Sequence, residues 1–198
     1  MGKYLLLSLL FLFTACSTKV PTIVKYKVSP NINLAKTEES ACSSKSAKVA
    51  LAFTNSSLIS KDMSYVRGDS KVYEYSESAW LNNPNYAVSN ELIKMLRNIE
   101  LFKSVQESKS RSMADLIIEV NLEDFMQYYS KDLKESYSLV QINFSIIDFK
   151  TSQVISTKTF RSKVDSKTLD ADGGVNALNA ALTNILSESS DWFVKVCR

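Results

Sequence analysis

Two neighbouring stretches that alternate apolar and polar side chains constrain the fold of this chain more than any other feature. In residues 114–124 and 136–149, nearly every second residue is apolar. Successive side chains of a strand point to opposite faces, so this spacing predicts two long strands with one covered face and one wet face. The charged stretch 130–135 between them predicts a hairpin loop, and residues 154–164 continue as a third strand. The alternating apolar positions are Leu116, Ile118, Val120, Leu122, Val140, Ile142, Phe144 and Ile146.

Two other stretches have the spacing of amphipathic helices that cover the apolar face of such a sheet. From Asn85 the apolar residues recur with helical period, and Pro84 stands at the start, where a helix tolerates proline. The C-terminal stretch has the same period over a longer distance. The positions in the two helices are Val88, Leu92, Met95, Leu96 and Ile99, then Val175, Leu178, Leu182, Ile185, Leu186, Ser189, Phe193 and Val196.

Shorter strands are predicted in the first half of the chain. Residues 23–30 alternate, and residues 48–53 are apolar on both faces, as in a buried central strand. Residues 63–75 predict a hairpin that turns at Gly68, and residues 101–108 lead from the first helix into another strand. This order predicts an α+β fold (a mixed α/β layer) with a twisted, mostly antiparallel sheet and two main helices packed on it.

The N-terminal stretch is typical of an export signal. Lys3 precedes ten mainly apolar residues, Tyr4 to Phe13. As a helix this run would be about 15 Å long, whereas the hydrocarbon core of a bilayer is about 30 Å thick. The run is therefore too short to span a membrane, but it has the length of the apolar region of a signal peptide.

This apolar run ends in small residues and Cys16, in a sequence that is similar to the bacterial lipobox, although Phe13 stands where Leu, Val or Ile is usual. In that motif the cysteine is acylated and becomes the new N-terminus. We therefore expect a lipoprotein signal peptide at residues 1–15, an acylated tether at residues 16–22 and a single domain at residues 23–198. An ordinary secretory signal with an incidental cysteine is the alternative.

The acyl chains and the residue after Cys16 indicate where the protein is held. Each buried CH₂ contributes about 0.8 kcal/mol, so two or three chains give a lasting anchor. Asp after the cysteine favours the inner membrane in well-studied Gram-negative bacteria, and Ser17 stands there instead. We expect a lipid-anchored protein on the periplasmic side, in the outer membrane rather than the inner.

The composition limits the chemistry that is open to this chain. It has no histidine, which excludes His-based triads, His general bases and His-containing zinc sites. Its four glycines form no nucleotide-binding loop. The charge of the full sequence, 24 basic against 21 acidic residues, is too balanced to indicate a nucleic-acid partner. We expect no enzymatic activity, no cofactor and no metal.

The carboxylates do not have the spacing of a catalytic or metal site. Glu119 and Glu123 share a strand face about 13 Å apart, at about 3.3 Å per residue, which is too far for a paired-carboxylate mechanism. Asp165, Asp170 and Asp172 precede the last helix without the layout of an EF-hand. Capping of that helix is the better explanation for them.

Two cysteines remain once Cys16 is assigned to the anchor. Cys42 and Cys197 form an even pair in an oxidising compartment and are candidates for a disulfide. The loop would be long, and the chain-entropy argument gives about 5 kcal/mol for its closure. Two unpaired thiols are the alternative.

A pair of tyrosines and one tripeptide are candidates for contact with partners. Tyr128 and Tyr129 lie at the end of a predicted strand, where they either touch a partner or cover the sheet edge. Arg67-Gly68-Asp69 is the tripeptide of integrin ligands, but the tip of a hairpin explains these residues better.

Four stretches in this order resemble the ABC-type transport auxiliary lipoprotein family, the group that includes the lipoprotein of the paraquat-inducible operon. They are the lipobox, "YKVSP", "YEYSESAWLNNPNYAVSNELIKMLRNIELFKSV" and "GGVNALNAALTNILSESSDWF". Ala79 stands where the family often has arginine. The residues that match the family order are Tyr75, Trp80, Pro84, Phe102, Val105, Ala177, Asn179, Ala180, Ala181 and Trp192.

The resemblance implies an accessory protein of an MCE-type lipid transporter, which consists of a permease, an ATPase and a membrane-anchored MCE protein. The lipoprotein would dock on the MCE assembly, alone or as a homo-oligomer, and would hand over or receive phospholipid without hydrolysing ATP. The matched residues are expected to be structural, with Trp80 and Trp192 in the core.

Two other classes of function stay open. One is a structural or assembly lipoprotein of an outer-membrane machine, such as lipopolysaccharide export. The other is a module that binds lipid or a small ligand by itself. An outer-membrane barrel recovered without an MCE protein would favour the first, and lipid that co-purifies with the domain alone would favour the second.

Overall fold

The structure, a computed structural model, describes residues 21–38 and 40–198. The predicted signal peptide, Cys16 and most of the predicted tether lie outside the described residues. The strands are β1 (Val24–Tyr26), β2 (Ser46–Val49), β3 (Asp62–Arg67), β4 (Lys71–Trp80), β5 (Ser104–Glu107), β6 (Leu116–Tyr129), β7 (Ser136–Asp148) and β8 (Val154–Asp165). The helices are α1 (Pro84–Asn98) and α2 (Ala171–Val196), with a short 3-10 helix at Ser56–Leu58.

One mixed, twisted sheet contains all eight of these strands, and β6 is at its centre. One edge of β6 pairs with β7, and β7 pairs with β8, both antiparallel. The other edge is shared, because β2 pairs with the first residues of β6 and β3 with its last residues, both parallel. β5 extends the sheet from β2, and β4 and β1 extend it from β3. Most paired residues are antiparallel, and the predicted fold class is confirmed.

The alternating stretches form the long strands β6 and β7, with their apolar face against the helices. A bulge between Leu122 and Asp124 shifts the alternation of β6 by one residue, so that Phe125 returns to the core. β6 then continues to Tyr129, beyond the predicted end at residue 124. The period-two pattern fades at the bulge although the pairing with β7 continues through it.

The predicted strand at residues 48–53 is shorter than expected, since β2 ends at Val49. Phe53 makes only an isolated bridge and its side chain is 63% exposed. The reason lies in Ala52, whose backbone groups bond to α1 and not to a strand. Its N–H donates to Ser89 Oγ at 2.9 Å, and its carbonyl accepts from Asn85 Nδ2 at 3.3 Å.

The predicted first strand, residues 23–30, is likewise reduced to the three residues of β1. The chain beyond it bonds to side chains of α2. The N–H of Ser29 donates to Asn179 Oδ1 at 2.8 Å, and the N–H of Asn31 donates to Thr183 Oγ1 at 3.0 Å. These backbone groups are therefore satisfied without a neighbouring strand.

Both predicted helices are confirmed, and they pack on one face of the sheet. α1 begins at Pro84. α2 begins after Asp170, whose carboxylate accepts from the N–H of Gly173 at 2.8 Å, as the predicted helix cap. α2 packs on β7 and β8, where Trp192 contacts the rings of Phe160 and Phe193. In the described part of the chain, neither helix has the length and apolarity needed to cross a bilayer.

A disulfide joins Cys42 to Cys197, 155 positions apart in the sequence. Both cysteines are buried, and the N–H of Ala41 donates to the carbonyl of Cys197 at 2.9 Å. The bond ties the last turn of α2 to the turn before β2. We call this part of the molecule the disulfide end.

Candidate functional site

A groove of about 930 Å³ opens at the opposite end of the sheet, where β6 ends and β7 begins. Its walls come from the turn after β3, the loop between β6 and β7, and the segment between β8 and α2. Its volume is within the range of about 300–1,000 Å³ that is usual for small-molecule sites. Its lining residues include Gly68, Asp69, Tyr128, Tyr129, Lys131, Lys134, Glu135, Ser136, Tyr137, Lys163, Asp165, Ser166, Lys167 and Leu169.

A cluster of four tyrosines lies behind the floor of the groove, between β3, β4 and β6. The ring of Tyr65 is at its centre. Its centroid is 4.6 Å from that of Tyr75 and 5.3 Å from that of Tyr129. Tyr73 stacks on the outer side of Tyr65, with centroids 5.6 Å apart. Aromatic contacts of this kind hold the strand ends together at the groove.

The hydroxyl groups of Tyr129 and Tyr75 begin a chain of hydrogen bonds in which each group donates to the next. Tyr75 donates its hydroxyl hydrogen to Gln127 Oε1 at 2.8 Å. Since that hydrogen is already used, the Tyr129 hydroxyl, 2.7 Å away, is the donor to Tyr75. Gln127 Nε2 in turn donates to Ser136 Oγ at 3.0 Å and to Ser166 Oγ at 3.5 Å. The chain therefore runs from the cluster to two serines on the groove floor.

Burial favours the neutral form of Tyr75 and Tyr129, the two tyrosines in this series of hydrogen bonds. Loss of solvent raises the pKa of Tyr75, and the hydrogen bond to Tyr129 raises it further. Loss of solvent also raises the pKa of Tyr129. These hydroxyls act as hydrogen-bond relays and carry no charge near neutral pH.

The first turn of α2 packs against the side-chain amide of Gln127 and holds it in position. A Cβ at Gly174 would lie 1.9 Å from Gln127 Oε1, so only glycine allows this approach. The carbonyl of Gly174 also accepts from Ser138 Oγ at 2.9 Å. The glycine pair in the sequence stretch "GGVNALNAALT" thus has a packing role here.

The two tyrosines predicted to touch a partner point in different directions, because neighbouring side chains of a strand face opposite sides. Tyr129 is 7% exposed and belongs to the buried cluster. Tyr128 lines the groove, stacks on Tyr137 with centroids 5.2 Å apart, and donates its hydroxyl to Asp124. Lys163 Nζ lies 3.9 Å from the centroid of the Tyr137 ring. Of the pair, Tyr128 has the more accessible position.

The rim of the groove is rich in lysine. Four lysines and three carboxylates line it. Two of these lysines are paired, since Lys131 Nζ lies 2.7 Å from Asp69 Oδ2 and Lys134 Nζ lies 3.6 Å from Oδ2 of Asp132, a residue that does not line the groove. The turn at Arg67-Gly68-Asp69 has the predicted form of a hairpin tip, with Gly68 at a φ of +66°.

Of the other residues considered in the sequence, Asp165 lines the groove, and the residues that match the family order apart from Tyr75 lie away from it. Trp80 packs on Phe125 in the core, with centroids 5.6 Å apart, and Pro84, Phe102, Val105 and Trp192 are also buried. Glu119 and Glu123 lie on the open face of the sheet. Across residues 21–38 and 40–198, no three Asp, Glu or Cys side chains come together as a metal site.

Comparisons with known proteins identify the fold but not a family. No known family profile matches the sequence, and no curated protein matches it. The structure is similar to that of protein XCC0632 from Xanthomonas campestris, described as DUF330, with a TM-score of 0.75 and 14% identity over 87% of this chain and 96% of that one. A structure described only as an uncharacterized protein has a TM-score of 0.64 and 12% identity over 88% and 99%.

A third similarity is too distant to carry an argument. The PelC dodecamer from Paraburkholderia phytofirmans has a TM-score of 0.44 and 12% identity over 79% of this chain and 91% of that one. At these identities the comparisons show a shared fold alone. The protein is thus an α+β domain of a known fold.

Proposed function

We propose that the protein is a lipid-anchored, non-catalytic accessory component of an MCE-type ABC lipid transport system, which faces the periplasm from the outer membrane. The observation that carries the proposal is Cys16 at the end of a short apolar N-terminal run. An acylated cysteine at this place would make the membrane the first partner of the domain.

The length of the tether supports a role at a membrane surface. Val24, the first residue of β1, is the eighth residue after Cys16. At about 3.5 Å per residue, this chain reaches at most about 28 Å. A domain held so close to one membrane would meet its partners at that surface, and in this proposal an MCE protein carries lipid to or from it there.

The positions of the matched residues support the resemblance to the auxiliary lipoproteins. Trp80 and Trp192 lie in the core, and Pro84 is the first residue of α1. Residues that build the fold and perform no chemistry are what a family of accessory proteins would share. The TM-score of 0.75 with a DUF330 structure adds support at the level of the fold.

Affinity capture of the full-length chain from detergent-solubilised membranes tests this proposal. We expect the wild-type protein to recover an MCE protein together with its permease and ATPase. The Cys16→Ser variant, expressed at the same level, is expected to lose both membrane retention and these partners. Light scattering on the recovered complex then measures whether the chain is a homo-oligomer.

Two results would contradict the proposal. Recovery of an outer-membrane barrel without an MCE protein would favour the assembly function. A Cys16→Ser chain that is processed normally and stays bound to the membrane would remove the anchor on which the proposal depends.

A further inference from the structure

We infer that the groove is a binding site for a phosphate-bearing ligand, held by serine hydroxyls on the floor and by lysines on the rim. This inference goes beyond docking on a transporter and does not depend on it. It begins with Ser136, which lines the groove and is 7% exposed. Its oxygen accepts from Gln127 Nε2, whereas its hydrogen has no acceptor among residues 21–38 and 40–198.

The direction of the hydrogen-bond chain makes the floor a donor. Tyr75 occupies the amide oxygen of Gln127, so the amide nitrogen faces the two serines. Ser136 and Ser166 therefore use their oxygens as acceptors and retain their hydrogens to donate. A floor that offers two hydroxyl donors favours a ligand with several acceptor oxygens, such as a phosphate group.

The rim supplies positive charge for the same ligand. Lys163 and Lys167 line the groove and have no salt bridge within the described part of the chain. Glu135 and Asp165 also line it, so the lysines of the lining exceed its carboxylates by one charge, and Lys134 is in addition paired with Asp132. This balance fits one phosphate group with neutral or cationic neighbours, and it does not fit a polyanion.

The part of the lining next to Lys163 suits the neutral part of such a ligand. Tyr128 and Tyr137 form a stacked aromatic pair in the lining, and Leu169, which is half exposed, also lines the groove. The groove of about 930 Å³ is large enough for a phosphate ester with a glycerol-sized or sugar-sized body. A phospholipid headgroup and a soluble phosphate ester share this chemistry.

Calorimetric titration of the full-length chain, purified in a non-ionic detergent, tests the site. The probes are inorganic phosphate, glycerol 3-phosphate and dihexanoyl phosphatidylglycerol, with dihexanoylglycerol as the phosphate-free control. The main variant is Lys163→Gln/Lys167→Gln, and Ser136→Ala removes the floor donor. The matched control is Lys158→Gln/Lys109→Gln, which removes the same charge outside the groove, including a lysine of β8 that also lies over an aromatic ring.

We expect the phosphate esters to bind the wild-type protein and the control variant with affinities within about twofold of each other. Binding to the Lys163→Gln/Lys167→Gln variant is expected to be weaker by about tenfold or more, since the variant loses the charge-assisted hydrogen bonds to the phosphate. Because the two lysines are at the surface, circular dichroism should show an unchanged fold. Ser136→Ala is expected to weaken binding in the same direction.

The probes also distinguish the source of the phosphate. Dihexanoyl phosphatidylglycerol that binds at least about tenfold more tightly than glycerol 3-phosphate identifies a lipid headgroup, and equal affinities identify a soluble phosphate ester. The inference is overturned if no phosphate compound binds. It is also overturned if dihexanoylglycerol binds equally well, or if the groove-lysine variant binds like the control variant.

Discussion

The two ends of the sheet are closed by different kinds of interaction. At the disulfide end, a covalent bond between buried Cys42 and Cys197 holds the last turn of α2. At the groove end, the first turn of α2 rests on Gln127 and a chain of neutral hydroxyl groups, below a rim of lysines. The first arrangement is a covalent cross-link between buried residues, whereas the second leaves hydroxyl and ammonium groups lining the groove where we infer a ligand.

The largest expected effect is at the disulfide end. The Cys42→Ala/Cys197→Ala variant should lose about 2–5 kcal/mol of unfolding free energy, because the bond no longer restricts a long loop in the unfolded chain. Urea denaturation of the full-length chain in detergent measures this loss. The unfolding free energy of the wild-type protein with reductant should fall to the same value. An unchanged urea midpoint of the Cys42→Ala/Cys197→Ala variant would show that the stability of this end does not depend on the bond.

A smaller effect is expected where α2 meets Gln127. Gly174→Ala should lose about 1–3 kcal/mol of unfolding free energy, because the new methyl group overlaps the amide oxygen. Asn176→Ala, an exposed position in the same helix, is the control and should change stability by less than about 0.5 kcal/mol. Adding Gln127→Ala to the Gly174→Ala variant should remove the steric cost. Equal stabilities of the Gly174→Ala and Asn176→Ala variants would contradict this close packing.

The relay inside the tyrosine cluster predicts a further difference. Tyr75→Phe should cost about 1–2 kcal/mol, because Gln127 Oε1 and the Tyr129 hydroxyl both lose their partner. Tyr73→Phe is the matched control, since Tyr73 is 41% exposed and has no side-chain hydrogen bond within the described residues. Thermal unfolding compares the two, and similar midpoints would exclude a directed chain.

The smallest effect concerns pH and Asp124. Burial raises the pKa of Asp124, so the folded protein favours its neutral form. The stability that this carboxyl contributes is present below its ordinary pKa of 3.8 and is lost as the pH rises through the folded-state value. Asp124→Asn should therefore be more stable than the wild type at pH 7, with a difference that shrinks at low pH.

Asp132 provides a control of opposite sign for this pH series. Hydrogen bonding by Ser130 lowers the pKa of Asp132, so its charged form is the one that the fold favours. Asp132→Asn should be less stable than the wild type at neutral pH. This difference should shrink as the pH falls below the ordinary pKa of 3.8. The same sign for both variants would show that burial of Asp124 does not control its titration.

The long elements could be predicted from the sequence, because each has one buried face. The period-two spacing predicted β6 and β7, and the helical period predicted α1 and α2. The short strands were overestimated, because the backbone of Ala52 and Ser29 bonds to side chains of distant helices. Such partners leave no periodic signal in the local sequence.

The groove could not be predicted, and the reason is the bulge in β6. It shifts the alternation by one residue and turns Gln127 inward, where it reaches Ser136 and Ser166. No motif joins these three residues, which come from three separate segments. The two tyrosines next to Gln127 were identified, but which of them faces the core depends on the same shift.

The central claim is that the groove end binds a ligand while the disulfide end only stabilises the fold. Amide chemical shifts of the labelled full-length chain, followed during titration with glycerol 3-phosphate, test it most directly. We expect the signals of Ser136, Lys163 and Ser166 to shift together to one saturation point, while those of Cys42 and Cys197 stay in place. Shifts that are centred on the disulfide end, or that are absent at the groove, would contradict it.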